Sequence, residues 1–494
     1  MTRQVKGPTD HVVIVGAGLA GLSTALRLAG AGRKVTVIER ESVPGGRNGL
    51  LNKEGYAFDT GPSVLTMPDL ISDALACVGE DIKDWLELIP VSPLYRAFYH
   101  DGSQLDVHAD TQRMQAEIES VIGPDEAAGY GKYVDFVTKL YKYEMKDFID
   151  RNIDSPLNLI TPNLAKLIAI GGFRRLAPKV NSFLKDPRTQ KVYSFQAMYA
   201  GVSPQQALAI YAVIAFMDSV NGVFFPKGGM HSVPRALAGA AAKHGVEFKY
   251  NSTVTTVEHA NGRATAVITA DGDRIACDAI VLNPDLPVAW RELLGRTPAS
   301  VKRLKYSPSC VTLLVGASAK YERLAHHNIH FGESWNGIFD ELIKEKKLMS
   351  DPSFLVTIPS LDDPSLAPVD KTSYYILFPT PNLRANIDWK KEAPKYRDQM
   401  VATMESRGYS GFGDAIEVEH LTTPLDWQGQ GMEAGAPFAS AHTFFQTGPF
   451  RPRNMAAGFE NVVFAGSGTQ PGVGVPMVLI SGRLAAERIV GTIK

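Results

Sequence analysis

The sequence predicts an α/β protein: a parallel-sheet half that cradles a nucleotide, interleaved with a mixed α+β half and a helical insert. Three observations carry this expectation. The chain opens on a strand, glycine turn, helix and strand, HVVIVGAGLAGLSTALRLAGAGRKVTVIER from residue 11. It closes on a second glycine-rich strand-to-helix turn, VVFAGSGTQPGVGVPMVLISGRLAAERI from residue 462. Between them, helical patterns to about residue 220 give way to strand-like runs and charged helices, with no clean linker, so the two halves are woven by several chain crossings.

The chain has 494 residues, 45% hydrophobic and 21% charged, enough for a large core in two or three domains. A net charge of −1 supplies no global field for a polyanion, so nucleic acid is not an expected partner. Cys77, Cys277 and Cys310 are far apart and form no metal-binding pair, and no metal is expected. Residues 1–10 read as a polar tail without the apolar stretch of a secretory signal, which points to a cytoplasmic location. The longest apolar run, Ala207 to Met217, is eleven residues. That is short of the roughly 20 needed to span a bilayer, so it reads as a buried or lipid-facing helix.

The opening segment is a βαβ unit. Gly16, Gly18 and Gly21 form GxGxxG between strand and helix: the first for a tight turn, the second for close approach of a pyrophosphate, the third for helix-on-strand packing. The helix N-terminus faces the phosphates. Glu39 ends the second strand, where a carboxylate accepts hydrogen bonds from an adenosine ribose. Together these define a Rossmann-like dinucleotide site. Next comes RESVPGGRNG, in which Gly45 and Gly46 bring a second backbone turn to the same ligand and Arg47 can offset phosphate charge, then GYAFDTGPSVLT around Asp59, Gly61 and Pro62. This extended signature resembles the FAD-binding segment of the amine oxidase and carotenoid desaturase flavoproteins, and with no second GxGxxG for a nicotinamide domain, FAD is expected rather than NAD. The C-terminal strand, Gly466, Gly468, Gly474 and the helix from Val475 would close over the flavin, backbone amides standing where other flavoproteins carry an acid. Arg40 and Val254 complete the expected cofactor set.

Further along, a hairpin turning at Asp101-Gly102 is expected near 95–110. Strands turned at Asn261-Gly262 and Asp271-Gly272 follow the helix of FFPKGGMHSVPRALAGAAAKHG, and AIVLN returns to the cofactor sheet. The expected division is a discontinuous FAD-binding domain over 11–110, 222–290 and 455–494, a helical region over 111–221 and a substrate domain over 291–454. Residues 155–185 hold five basic residues (Lys166, Arg174, Arg175, Lys179, Lys185), no acid, and interleaved Leu, Ile and Phe, a composition suited to an anionic bilayer interface.

GVFFPKGGMHSVPRAL, LAHHNIHFG, DPSLAPVDKTSYYILFPTPNL and FAGSGTQPGVGVPMVLISGRLAAERI extend the resemblance over nearly the whole chain, which is similar to bacterial-type phytoene desaturases. The resemblance implies an FAD-dependent oxidoreductase acting on CH–CH bonds of a lipophilic polyene, peripheral to the inner face of the membrane, with oxygen or a quinone as electron acceptor. The family commonly has His at 470 and Gly at 477, where this chain has Gln470 and Met477. Asp59, His231, His326 and His327 are the polar residues of the shared stretches. No paired-acid, His–Asp or Ser–His pattern names a catalytic group, and Gln470 is the single flavin-proximal candidate. A carotenoid isomerase, an amine oxidase and a flavin-binding structural partner are the alternatives.

Overall fold

The computed structural model describes residues 2–492. Its first layer is a parallel sheet of five strands in the order Val462–Phe464, Ala279–Leu282, β1 (His11–Val15), β2 (Lys34–Ile38), Glu247–Lys249. Its three central strands are Val/Ile/Leu runs buried on both faces, as a covered parallel sheet requires. The AIVLN strand returns to this sheet as its sequence suggested. Val15 pairs with Leu282 and Leu282 with Phe464, so three adjacent strands end at one level. The chain leaves them there as Gly16, Asn283 and Ala465.

Helix α1 (Leu19–Gly30) and the C-terminal helix Val475–Val490 pack on one face of this sheet. Ser23 Oγ donates to the Leu479 carbonyl at 2.9 Å and Thr24 Oγ1 to that of Gly482 at 3.0 Å. A side chain at Gly482 would run into the backbone of Ala20 and into Ser23. This close contact holds the two glycine turns, distant in sequence, side by side.

The second layer is a seven-stranded sheet: Ile416–Thr422, Ser309–Ala317, Thr372–Thr380, Phe354–Thr357, His327–His330, Tyr95–Phe98 and Gln104–Val107. All neighbours are antiparallel except His327–His330 with Tyr95–Phe98. The hairpin turning at Gly102, grouped by sequence with the cofactor segments 11–110, is the edge of this other sheet. A local turn signal fixes that two strands pair and says nothing of their next neighbour.

Val254–Ala260, Arg263–Thr269 and Arg274–Ala276 form a small antiparallel sheet, with positive φ at Asn261, Gly262 and Gly272. It packs on the parallel sheet through Val254, Val257 and Val267. The helical region includes Thr111–Val121, Pro124–Glu144, Pro162–Ala169, Leu176–Phe183 and Val213–Ser219. The apolar run 207–217 is buried and broken, a 3-10 turn leading into Val213–Ser219. Residues 2–10 are tied down: the Arg3 amide donates to Asp154 and the Val5 amide to the Arg488 carbonyl.

Candidate dinucleotide and substrate site

One continuous cavity of about 1280 Å³ runs from the glycine turns into the space between the helical region and the seven-stranded sheet. Its first part follows the ends of the parallel strands, where open α/β sheets bind ligands. Of the residues expected to hold the cofactor, Gly16, Gly18, Glu39, Arg40, Gly45, Gly46, Arg47, Gly61, Pro62, Val254, Gly466, Gly468, Gly474 and Val475 line it.

Gly18 is the N-cap of α1 and Gly474, at φ 108°, that of the C-terminal helix. Neither supplies a side-chain cap, and neither helix has an acid in its first turn. Two sets of unsatisfied amides and two positive dipole ends therefore open on the same cavity. Asn283, not foreseen, sits between the turns. Its Oδ1 accepts from the Gly21 amide at 3.3 Å and its Nδ2 donates to the Ala465 carbonyl at 2.9 Å. A Cβ at Gly18 would lie 2.6 Å from Asn283 Oδ1 and one at Gly466 2.9 Å from Nδ2. Glycines from both ends of the chain thus leave room for one amide that bridges them. Position is its signal in the sequence: an Asn directly after a buried strand of the cofactor sheet.

Glu39 is buried; Oε2 accepts from the Ala17 amide at 2.6 Å and Oε1 from the Glu41 amide at 3.0 Å. It fixes the first turn while lining the cavity. The Gly45 amide donates to the Ala17 carbonyl, clipping the second turn onto the first. Arg40 is exposed and donates to the Gln430 carbonyl at 2.6 Å. Arg47, expected to meet phosphate, instead reaches Ser467, the Pro437 carbonyl and Asp285, 3.6 Å away. Burial pushes the Asp285 carboxyl up and the Arg47 charge opposes the shift. Arg47 thereby ties the second turn to the C-terminal one.

Two expected residues stand off the cavity. Gly21 packs its helix against the Gly16 carbonyl. Asp59 accepts from the amides of Met230 and His231 at 2.7 and 2.9 Å, ahead of the helix Ser232–Lys243. Burial lifts its carboxyl to about 6 against the pull of those amides. The histidines of the shared stretches are also framework. His231 donates to the Asn48 carbonyl, His326 pairs with Asp362, and His327 is bonded to Thr357 in a site whose burial lowers it well below the usual imidazole range.

The far part of the cavity is apolar, with Phe148, Leu167, Phe195, Ile214, Met217 and Phe331 among its walls. A few polar groups interrupt it: Glu144, Tyr211, Asp218 and His442, the last hydrogen-bonded through Nδ1 to the Tyr211 hydroxyl at 3.1 Å. Arg451, wholly buried, donates to the Thr469 and Ser467 carbonyls and braces the C-terminal turn; burial lowers it to about 10.

Gln470 lines this cavity, but both ends of its amide are engaged. Nε2 donates to the Ile153 carbonyl at 3.1 Å and Oε1 accepts from the Ile153 amide at 3.3 Å. It clamps the segment after the long helix to the glycine turn and is not free to act on a ligand. Gln470→His should therefore lower unfolding stability by roughly 2 kcal/mol through the lost pair of bonds and leave the pH dependence of turnover flat. A denaturation curve and a rate profile check both; a new ionisation in the profile would contradict the clamp.

The family described as "Flavin containing amine oxidoreductase" matches residues 19–490. The chain is 55% identical over 490 residues to a phytoene dehydrogenase of Streptomyces griseus, covering 99% of this chain and 96% of that one. It is 36% identical to a zeta-carotene-forming phytoene desaturase of Myxococcus xanthus, covering 97% and 93%. Among solved structures, an oxidoreductase of Methanosarcina mazei superposes with TM-score 0.62 at 16% identity, covering 96% of this chain and 98% of that one. Cyclohexylamine oxidase of Brevibacterium oxydans does so with TM-score 0.61 at 15% identity, covering 98% and 99%.

Proposed function

The chain belongs to the flavin containing amine oxidoreductase family, and within it we infer an FAD-dependent desaturase that removes hydrogen from phytoene, a linear carotenoid precursor, to give more conjugated products. The observation that carries this reading is the 55% identity to a phytoene dehydrogenase along essentially the whole chain. The cavity agrees with it, since the nucleotide cradle continues directly into an apolar lobe.

The residues present fit FAD: paired glycine turns leave a backbone-lined trough, and two helix N-termini with glycine N-caps and no first-turn acid face it. The α1 amides with Gly45 and Gly46 would hold the pyrophosphate, Glu39 the adenosine ribose, and the turn from Gly466 to Val475 the far end. When bound, FAD supplies a two-electron oxidant. The chain's own part is to align the polyene and keep water out: Phe148, Phe195, Phe331 and Ile214 offer it no polar alternative to an extended path.

A membrane surface is the proposed source of substrate. Phe173, Phe444 and Phe450 line the cavity and are also exposed, so the apolar lobe reaches the protein surface among them. Beside them Leu157 and Ile160 are each 72% exposed and Phe445 76%. Lys166, Arg174, Arg175 and Lys185 are exposed around this region, none paired with a carboxylate among the described residues. No helix among the described residues is long and apolar enough to cross a membrane, so attachment would be peripheral, at the inner face. A membrane quinone suits a mouth at the bilayer as electron acceptor, and oxygen is the other acceptor; anaerobic turnover with added quinone separates them.

The test is to supply FAD-loaded protein with phytoene in liposomes and resolve the products by chromatography and mass. Each new double bond should remove two hydrogens. Products of unchanged mass would make the protein an isomerase, and unchanged phytoene would overturn the reading.

A further inference from the structure

Glu144 is the last residue of the long helix Pro124–Glu144, just before the chain widens into the π-helical turn Met145–Ile149. It lines the apolar lobe at 5% exposure. Among the described residues no side chain, amide or cation is hydrogen-bonded to its carboxyl, and Oε1 is buried without a partner. Such a group is costly to keep in an apolar wall, and packing gives no reason for it. Its surroundings place it near the C-terminal glycine turn. The adjoining π-helical residues Phe148 and Ile149 line the same cavity, and the segment continues to Ile153, which Gln470 clamps. Burial pushes the Tyr211 hydroxyl up, with the Arg451 charge opposing the shift and Glu144 adding to it, and Tyr211 is bonded to His442, whose ring packs on Gly472.

Resting on the desaturase reading above, we propose that Glu144 is the catalytic proton acceptor of the desaturation. One hydrogen of the CH–CH unit leaves with its electron pair to the FAD oxidant. The neighbouring C–H pair becomes the new π bond, and the proton of that C–H passes to a carboxylate oxygen of Glu144. Atoms and charge balance, and the proton then leaves to solvent between turnovers. The ordering of roles suits the site: an apolar cavity offers the cationic carbon no water, so a carboxylate is the base at hand.

The titratable groups around Glu144 carry both signs: Tyr211, bonded to His442 and Thr447 with the buried Arg451 beside them, Asp218 on the neighbouring helix Val213–Ser219, and Lys166 of the packed helix Pro162–Ala169, whose ammonium sits over the Tyr143 ring at 5.2 Å. Burial alone raises the Glu144 carboxyl well above its ordinary value, and it raises Asp218 to about 7. Asp218 differs in having one oxygen held, Oδ1 accepting from Ser219 at 2.6 Å, while its Oδ2, like Glu144 Oε1, is buried without a partner, so the Asp218 variant is the control that separates the two carboxyls. The active form of Glu144 is the ionised one, so the rate of the chemical step should rise with pH over a range above that of an ordinary carboxylate. For stability the sign is opposite: the native state holds this proton more tightly than the unfolded chain, so stability falls as pH rises toward the native value.

The experiment compares wild type, Glu144→Gln, Glu144→Asp and Asp218→Asn as FAD-loaded proteins with phytoene in liposomes. Flavin bleaching is followed anaerobically against pH, alongside FAD content, thermal unfolding and the infrared carboxyl band of the substrate-free protein. Glu144→Gln should hold FAD normally, be at least as stable as wild type above neutrality, lose the titrating carboxyl band, and slow bleaching about 100-fold with a flat profile. Glu144→Asp should restore a pH-dependent limb. Bleaching within about threefold of wild type in Glu144→Gln, or a limb that vanishes in Asp218→Asn and persists in Glu144→Gln, would overturn the proposal. Wild type that holds FAD and leaves phytoene unchanged would overturn the functional reading itself, and the role of Glu144 with it.

Discussion

Gly18→Val is expected to weaken FAD binding by about 1,000-fold, roughly 4 kcal/mol, with far-UV circular dichroism close to wild type. The structure gives this a more particular cause than crowding of a pyrophosphate. A Cβ at position 18 would stand 2.6 Å from Asn283 Oδ1, and that oxygen is held by the Gly21 amide while the same side chain grips the Ala465 carbonyl. The added side chain must either displace Asn283, and with it the link to the C-terminal turn, or push the first turn away from the phosphates. Asn283→Ala alone removes two hydrogen bonds and should cost about tenfold to thirtyfold in FAD affinity. Because the two sites share a cause, Gly18→Ala should be milder in an Asn283→Ala background than in wild type, a coupling that a double-mutant cycle in FAD titrations measures. Stoichiometric FAD in purified Gly18→Val would overturn the assignment of this turn, and strict additivity would remove Asn283 from the explanation.

The same residue marks how far sequence carries. Gly16, Gly18, Gly21 and Glu39 were legible because their spacing along one βαβ unit is the geometry. The C-terminal glycines were legible as a second turn of that kind. Asn283 was not, because its role depends on Ala279–Leu282 lying between β1 and Val462–Phe464, and strand order is not written in local pattern. Arg47 is the converse: the residue was found, but its partner Asp285 lies 238 positions along, and the fold spends the charge on that carboxylate. Gln470 was assigned to the ligand because its neighbours are glycines of the turn; the backbone of Ile153, which saturates its amide, arrives from the helical region. Glu144 left no trace at all. In LYKYEMKD it reads as one charge of a solvated helix, and only the packing of Val213–Ser219 and the far wall shows that its face is turned inward.

Lys166→Gln, Arg174→Gln and Arg175→Gln together are expected to weaken binding to anionic liposomes about 100-fold and leave binding to neutral ones nearly unchanged. Each basic group at the surface contributes about 1 kcal/mol against an anionic leaflet. Lys179, counted with them in sequence, is left out because its ammonium sits over the Phe136 and Phe183 rings at 4.6 and 4.8 Å and is half-buried. The aromatic edge supplies the other half of the attachment. Phe444, Phe445 and Phe450 touch one another with ring centroids 5.2 to 6.0 Å apart, and they abut the turn Pro156–Leu159 beside exposed Leu157 and Ile160. Burying their exposed faces in acyl chains should contribute about 1 kcal/mol or more each. Phe444→Ser, Phe445→Ser and Phe450→Ser should therefore cost about 100-fold on anionic and neutral liposomes alike, and all six changes together about 10,000-fold on anionic ones. High salt should mimic the basic set and not the aromatic one, since screening reaches charges and leaves apolar contact intact. Turnover of phytoene delivered in liposomes should fall with either set, whereas FAD content should not change, because neither set includes the glycine turns. Wild type that cosediments with neither kind of liposome would show that the polyene reaches the cavity by another route, and an aromatic variant that binds like wild type would move the attachment away from the mouth.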